Sequence, residues 1–500
     1  MSLKSLKPLI IILPIFLFIT FLFVYKLDSA YFFTDEILYR ASGSEYIHGN
    51  FTRNLQHPLI GKYIVGLMTL ISESNVFILR LPYALLGVGS AFVVFVILKR
   101  QYGYFWGLLG ALLYTLSPFI YETTRMVMFE APMHLFWLLF HFYFLSLLQE
   151  DLPDKQFKKY QLLSGLFLGL SIATKIPSFV LYAFSFLIYI YHSFSTLKKV
   201  STKQLVNTLL PVYFVSFITY GLTYVHLLIA SGFSNLILVA KETLKVFLGR
   251  NSEGKTHIVA GEIFNKSPWW TYFYYIDKEY SIPGYILFYI SPLVLFLKKN
   301  FFVVYWSLFF ILNAIFFQLI PLKNSRYIAS IELSCVFLII SLVHYFFIDF
   351  AKNIKFKKVV RIIVILLLSC IFIQRVLFVI KQPLTEYNWA FNYFKNETNN
   401  FTQYKRMYVF GSIRSLKWYR EFVPNESMFL YRQDYNIMCP EFSTFDYIAF
   451  EKDELLMDPT NLLMKFVKEN ELGFEKIEIP NFIIYKKLPG YTTFFNCVNN

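Results

Sequence analysis

An acidic pair, Asp35-Glu36, follows closely on the first long apolar run of the chain, and further charges mark the borders of later runs. They are Arg53, His57 and Lys62 around NLQHPLIGKYIVGL, Arg80, Arg125 and Glu130 in TTRMVMFEAPMHLF, Lys175 ahead of Ile176-Pro177, and Lys323, Arg326, Tyr327 and Glu332 in PLKNSRYIASIEL. Charge beside hydrocarbon is costly, so residues kept there need a physical reason. Carboxylates next to several fixed cations suit a reaction in which a base takes a hydroxyl proton while cations hold a departing phosphate. A lipid phosphate is the natural substrate at that depth.

Each of these residues also has a plainer reading. An Asp-Glu pair in a loop is often solvated charge. His57 before Pro58 can simply cap a turn. Lys62, Arg80, Arg125 and Lys175 can lift their charged ends to the headgroups without any functional demand. Glu332 lies about one and a half turns inside an apolar run, where it should pair with a cation or carry a proton and thereby join helices. Trp269 and Trp270 offer flat apolar faces for sugar C–H groups, or anchor at the membrane interface.

The elements that must position these residues are set by composition. The chain has 500 residues, 47 Lys and Arg against 32 Asp and Glu, 56% hydrophobic residues and 16% charged ones. With a mean hydropathy of +0.50, this excludes a disordered chain and an ordinary soluble enzyme, and the basic residues punctuate apolar runs instead of forming a nucleic-acid stripe. Predominantly apolar runs long enough to span as helices predict a polytopic α-helical membrane protein of about eleven spans. They are Leu9–Tyr25, Val76–Leu98, Tyr102–Tyr121, Ala131–Leu148, Tyr160–Thr174, Ile176–Leu197, Leu205–Ala230, Ile282–Leu297, Phe301–Leu322, Tyr327–Ile348 and Ile362–Ile380.

Basic clusters at Lys4/Lys7, Lys99/Arg100, Lys155/Lys158/Lys159, Lys198/Lys199/Lys203, Lys298/Lys299 and Lys352 to Arg361 occupy alternate connections. The positive-inside bias then predicts a cytoplasmic N-terminus and an extracytoplasmic C-terminal segment in a multi-pass cell-membrane protein. Lys26-Leu27-Asp28 directly after the first run carries no small-residue cleavage site, which predicts an uncleaved anchor. Outer loops 28–75 and 231–281 and everything after Lys381 hold five N-x-S/T triplets, starting at Asn50, Asn265, Asn396, Asn400 and Asn425. Residues 1–380 are thus read as the catalytic membrane domain and 381–500 as a small extracytoplasmic α/β domain. Its predicted helices are Tyr387–Phe394, Ser415–Phe422 and Asn461–Glu469, and its predicted strands Met407–Phe410, Met428–Tyr431, Tyr447–Phe450 and the strand-rich Phe474–Tyr485. Cys335 and Cys370 fall in spans, while Cys439 and Cys497 fall in the outer domain, where one disulfide is feasible. No C-x-x-C, G-x-G-x-x-G or G-x-x-x-x-G-K-[ST] motif occurs, and His134, His141, His192, His226 and His344 are scattered singly, which argues no metal site.

Asp35-Glu36, HPLIGK, FEAPMHLF, GLFLGLSIATKIPSFVL, KSPWWTYFYY and KNSRYIASIEL together resemble the protein O-mannosyltransferase and aminoarabinose-transferase group of the GT-C superfamily, over roughly residues 10 to 350. The resemblance implies inverting transfer of one sugar, a hexose or a pentose, from a polyprenyl-phosphate donor to a protein, lipid or glycan acceptor on the extracytoplasmic side. It implies Asp35 as general base and Glu36 as an acceptor-side or geometry-setting neighbour. His57 and Lys62 match an H-P-x-x-x-K element, and Arg326-Tyr327 an R-Y element near the donor phosphate, with Arg125 and Lys175 as further phosphate cations. Glu130 stands where the group usually has Asp. Members differ in their use of a divalent cation, so the metal stays open. The partners implied are the lipid-linked donor, the acceptor and the bilayer, with no nucleic acid.

A transporter or lipid flippase is the competing class, but charges gather at one rim and no internal repeat is evident. A membrane scaffold presenting the C-terminal domain is a third. Oligosaccharide transfer is disfavoured, because Trp269-Trp270 is followed by Thr271 and not by the Asp of a W-W-D signature.

Overall fold

The computed structural model describes residues 3–28, 34–149, 152–197, 202–247, 257–260, 262–321, 323–350, 357–381 and parts of 393–491. It divides into two compact units. The first comprises Met1–Leu27, Leu38–Glu253 and Pro268–Gln382, and the second Asp28–Ile37, Gly254–Ser267 and Pro383–Asn500.

The first unit is a helical bundle: α1 (Leu3–Val24), α2 (Thr34–Ile47, whose first turn belongs to the second unit), α3 (Ile60–Thr69), α4 (Val76–Tyr102), α5 (Tyr104–Leu116), α6 (Pro118–Thr124), α7 (Glu130–Gln149), α8 (Asp154–Ile172), α9 (Val180–Leu197), α10 (Thr202–Leu222), α11 (Val225–Phe247), α12 (Thr271–Glu279), α13 (Ile282–Ile290), α14 (Val294–Leu297), α15 (Phe301–Leu319), α16 (Ile328–His344) and α17 (Lys357–Lys381). Among the described residues eight helices are long and apolar enough to cross a membrane, or nine if α5 and α6 count as one bent span. The expected count of eleven is therefore not reproduced. The Tyr160–Thr174 run lies in α8, which opens with Asp154, Lys155, Lys158 and Lys159, and the Ile282–Leu297 run is broken into short pieces.

Helix α16 is apolar nearly all round, and every residue from Ile328 to Val343 is buried. Such a helix belongs at the centre of a bundle, and α15 packs on it with Trp306 stacked on Phe337 at 3.6 Å between ring centres. Helices α10 and α17, by contrast, leave Phe214, Phe217, Ile362 and Leu366 exposed, as lipid-facing helices should.

Two predicted outer loops contain helices. Residues 28–75 hold α2 and α3, and residues 231–281 hold most of α11, a hairpin and α12. Short length and mixed charge hid α2, while α11 is broken at Gly232 (φ 76°, ψ 177°). At 1.5 Å per residue its two arms measure about 10 and about 22 Å, so α11, one of the eight candidate spans, reaches across a ~30 Å core only with both arms together.

The second unit contains a hairpin, β1 (His257–Val259) with β2 (Glu262–Phe264), and a mixed five-stranded sheet. Its strands β3 (Met407–Phe410), β4 (Phe429–Arg432), β5 (Tyr447–Glu451), β6 (Phe474–Ile479) and β7 (Phe482–Lys487) run in the order β4-β3-β5-β7-β6. β3 pairs parallel with β4 and β5, while β7 pairs antiparallel with β5 and β6. Glu397 accepts from Tyr447 at 2.7 Å and Lys486 at 2.9 Å, tying the turn at 396–399 to the sheet. These two bonds hold its carboxyl below the usual range. The predicted strands agree to within a residue or two. The helices expected at Ser415–Phe422 and Asn461–Glu469, most of Tyr387–Phe394, and Cys439 and Cys497 lie outside the described residues.

Helices α2 and α3 cross at glycines. A Cβ on Gly66 would lie 2.4 Å from the Gly43 carbonyl oxygen, and one on Gly43 would lie 2.5 Å from that of Lys62. Backbone cannot yield as a side-chain tip can, so Gly66→Ala should cost about 1–3 kcal/mol and lower the thermal unfolding midpoint in detergent. Gly89→Ala, whose Cβ would meet only Leu135 at ordinary contact distance, should match or exceed the parent; equal midpoints for both variants would contradict the close crossing.

Candidate active site

Glu130 opens α7 and is buried. It pairs with Lys175, on the short connection between α8 and α9, and lies 3.8 Å from Nε of Arg326. Arg326 belongs to the single turn Ser325–Tyr327 that leads into α16, where the Asn324 side chain accepts from its backbone N–H at 3.1 Å. The Lys175 ammonium also stands 5.2 Å from the ring centre of Tyr327, whose other neighbour is Phe317, stacked at 5.2 Å. Two cations stand around one carboxylate, in a setting largely removed from water. That is an arrangement suited to an anion. Glu130 is the carboxylate that both cations share.

The aromatic segment joins this cluster through α15. Tyr272 donates to the Phe317 carbonyl at 3.2 Å, and Gln318 donates to the Trp269 carbonyl at 2.8 Å. Trp269 itself is exposed, and Trp270 is half-buried beside Tyr274. Lys323 is buried just before the Arg326 turn, and burial lowers its pKa.

Lys62 does not join the cation cluster. Its ammonium is fully buried and donates to Tyr46 Oη at 3.2 Å, the Asn54 carbonyl at 2.5 Å and the His57 carbonyl at 2.7 Å. Three N–H groups are spent on three oxygens, and this lysine pins the 50–59 loop to α2. Burial lowers its pKa well below the ordinary value, and the oxygens are its compensation. His57 packs its ring edge-on against Tyr39 and Phe129, at 6.0 and 5.9 Å.

Arg125 is likewise engaged elsewhere. Its Nε donates to the Phe23 carbonyl at 3.1 Å and its Nη2 to the Tyr25 carbonyl, while Arg80 donates to the Leu27 carbonyl at 2.9 Å. Both arginines therefore satisfy carbonyls at and just beyond the C-terminal end of α1, where the helix dipole is negative. Burial brings Arg125 down to about 10.

Asp35 and Glu36 occupy the first turn of α2, where acidic side chains oppose the helix dipole favourably. Asp35 is half-buried and Glu36 buried. The rest of α2 is fixed by the Gly43–Gly66 crossing and by Arg40, which donates to the Glu73 carbonyl at 2.6 Å. Among the described residues no three His, Cys, Asp or Glu side chains gather to hold a metal ion. Sequence reasoning missed Tyr272 and Gln318 as supports of the cluster; only the fold brings Phe317 beside Tyr327.

Residues 56–220 match the family model described as dolichyl-phosphate-mannose-protein mannosyltransferase. A search of curated proteins finds no match. Among solved structures, the chain resembles ArnT from Cupriavidus metallidurans bound to undecaprenyl phosphate, with a TM-score of 0.55 and 10% identity over 97% of this chain and 99% of that one. The apo state of ArnT gives a TM-score of 0.56 at 10% identity, over 96% and 98% of the two chains. The archaeal oligosaccharyltransferase AglB from Archaeoglobus fulgidus, in complex with an inhibitory peptide and a dolichol-phosphate, gives 0.52 at 11% identity over 95% of this chain and 74% of that one. With its apolar spans, its central buried helix and its small C-terminal sheet, the chain is a multi-pass membrane protein with the GT-C fold of these solved structures, and residues 56–220 match the mannosyltransferase family model.

Proposed function

We propose that the chain is an inverting membrane glycosyltransferase that moves one sugar from a polyprenyl-phosphate donor to a hydroxyl acceptor on the extracytoplasmic face. The observation that carries this reading is the buried Glu130 flanked by Lys175 and Arg326, a preset cationic seat for a lipid phosphate. The fold shared with a transferase solved in complex with undecaprenyl phosphate supports it, as does the mannosyltransferase family match. Asp35 serves as the general base. Its carboxylate takes the acceptor hydroxyl proton, the oxygen attacks the anomeric carbon from the face opposite the leaving group, and the bond from that carbon to the phosphate oxygen breaks. The electron pair departs with the phosphate, whose growing charge is met by Lys175 and Arg326. Tyr327 and the Trp269-Trp270 segment flank the donor, and Glu36 supports the acceptor side. The hexose or pentose transferred and the acceptor class remain open within this scheme.

A lipid transporter is the second reading, and the 70° break between α5 and α6 favours it, because broken helices near ionisable groups are common in transporters. The Asp35→Asn variant separates the two. Removing a general base should lower transfer from a radiolabelled polyprenyl-phosphate sugar by roughly 10²–10⁴-fold, with undecaprenyl phosphate binding unchanged; full transfer by this variant would sink the base assignment. Arg326→Lys keeps the charge but loses the planar fork, and should weaken undecaprenyl phosphate binding by about tenfold, near 1.4 kcal/mol, by scintillation proximity or thermal shift. Unaltered affinity in that variant speaks against the cationic seat.

A further inference from the structure

The break between α5 and α6 originates in Ser117-Pro118. The residue before a proline is driven out of the helical region, and Ser117 is extended at φ −64°, ψ 125° with Pro118 at the start of α6. A break inside an apolar bundle strands carbonyls at the end of one helix and N–H groups at the start of the next. The serine and threonine of the break take two carbonyls of α5: Ser117 donates to Leu113 at 2.9 Å and Thr115 to Ala111 at 2.9 Å. The Ser117 N–H takes the Tyr114 carbonyl at 3.3 Å and the Tyr121 N–H bonds the Ser117 carbonyl at 2.8 Å, while charged side chains from other helices take further groups. Arg375 of α17, itself buried, donates to the Leu116 carbonyl at 3.0 Å and to the Glu279 carbonyl at 3.2 Å. Glu332 of α16 accepts from the Ile120 N–H at 2.9 Å and from the Tyr280 hydroxyl. Both charges line the cavity of about 60 Å³ at the break, together with Ser117, Pro118 and Tyr280.

We propose that Glu332 and Arg375 are positioning residues that clamp this break and thereby hold Arg326 beside Glu130. The chain path makes the link. The helix that Glu332 grips, α6, continues through Arg125 to Glu130 at the head of α7, and the helix that carries Glu332 begins at the turn containing Arg326. One carboxylate–amide bond thus ties together the two segments that supply opposite sides of the ion pair. The Glu332 carboxyl accepts at the N-terminal end of α6 and the Arg375 guanidinium donates at the C-terminal end of α5, so each meets a helix end that lacks an intrahelical partner.

The catalytic consequence rests on the transfer reaction proposed above, so the test carries a readout independent of it. In the full chain in nanodiscs, Glu332→Leu should raise hydrogen–deuterium exchange in peptides covering 117–130, while Glu332→Gln, which keeps an oxygen for the Ile120 N–H, should exchange as the parent does. Sugar transfer by Glu332→Leu should fall in kcat by about 10²-fold, the cost of a misplacement near 1 Å, with donor KM changed less than threefold, and Glu332→Gln should restore kcat to within threefold. Tyr280→Phe, which removes one hydroxyl and no carbon, serves if Glu332→Leu does not fold; it should raise the same exchange to a smaller degree. Parent-like exchange in both Glu332→Leu and Tyr280→Phe overturns the clamp, as does a kcat loss that Glu332→Gln shares. If the parent chain transfers no sugar, the proposed function falls and the exchange data still decide the clamp.

Discussion

Helix ends placed away from water leave peptide groups that only protein can satisfy, and much of the buried charge in this bundle answers that constraint. Arg80 and Arg125 serve the end of α1, Arg375 the end of α5 and Glu332 the start of α6. Lys62 does the same for loop carbonyls at Asn54 and His57. Glu130, Lys175 and Arg326 differ in that each has a charged side chain of this group as a partner. A charge whose role is to complete a helix end is fixed in place by that end; a charge balanced against another charge can shift its loyalty to an incoming phosphate.

The same residue types therefore divide into two kinds of work, and the sequence alone does not separate them. The borders of α4, α7, α9, α15 and α16 were legible because a bilayer demands long uncharged runs, and so was the presence of polar residues at their ends. Glu130, Lys175 and Arg326 were named from their setting against apolar neighbours, and the fold does bring these three together. Lys62 and Arg125 had the same credentials. Beside Tyr46 Oη, they bond main-chain oxygens contributed by residues 5 to 102 positions away, and a main-chain oxygen leaves no trace in residue identity.

The misread elements follow from the same logic. Helix α2 carries four charged side chains along a short length and no clear apolar stripe, so its helical state comes from docking on α3 rather than from pattern. Helix α11 has apolar content but a glycine in a conformation that only a residue without Cβ adopts easily. In the C-terminal unit, strands with alternating or aromatic-rich patterns were located closely, since β5 and β7 fill the sheet centre with Ile448, Phe450, Phe482 and Ile484.

The bend at Ser117-Pro118 also sets a depth. A straight rod from Tyr104 to Thr124 would be about 31 Å long at 1.5 Å per residue, enough to traverse the hydrocarbon. With α6 turned by 70°, its roughly 10 Å length advances the chain only about 4 Å along the axis of α5, and the pair ends about 7 Å short of the unbent rod. The segment from Arg125 to Glu130 thus lies about that much less far along the axis of α5 than an unbent helix would carry it.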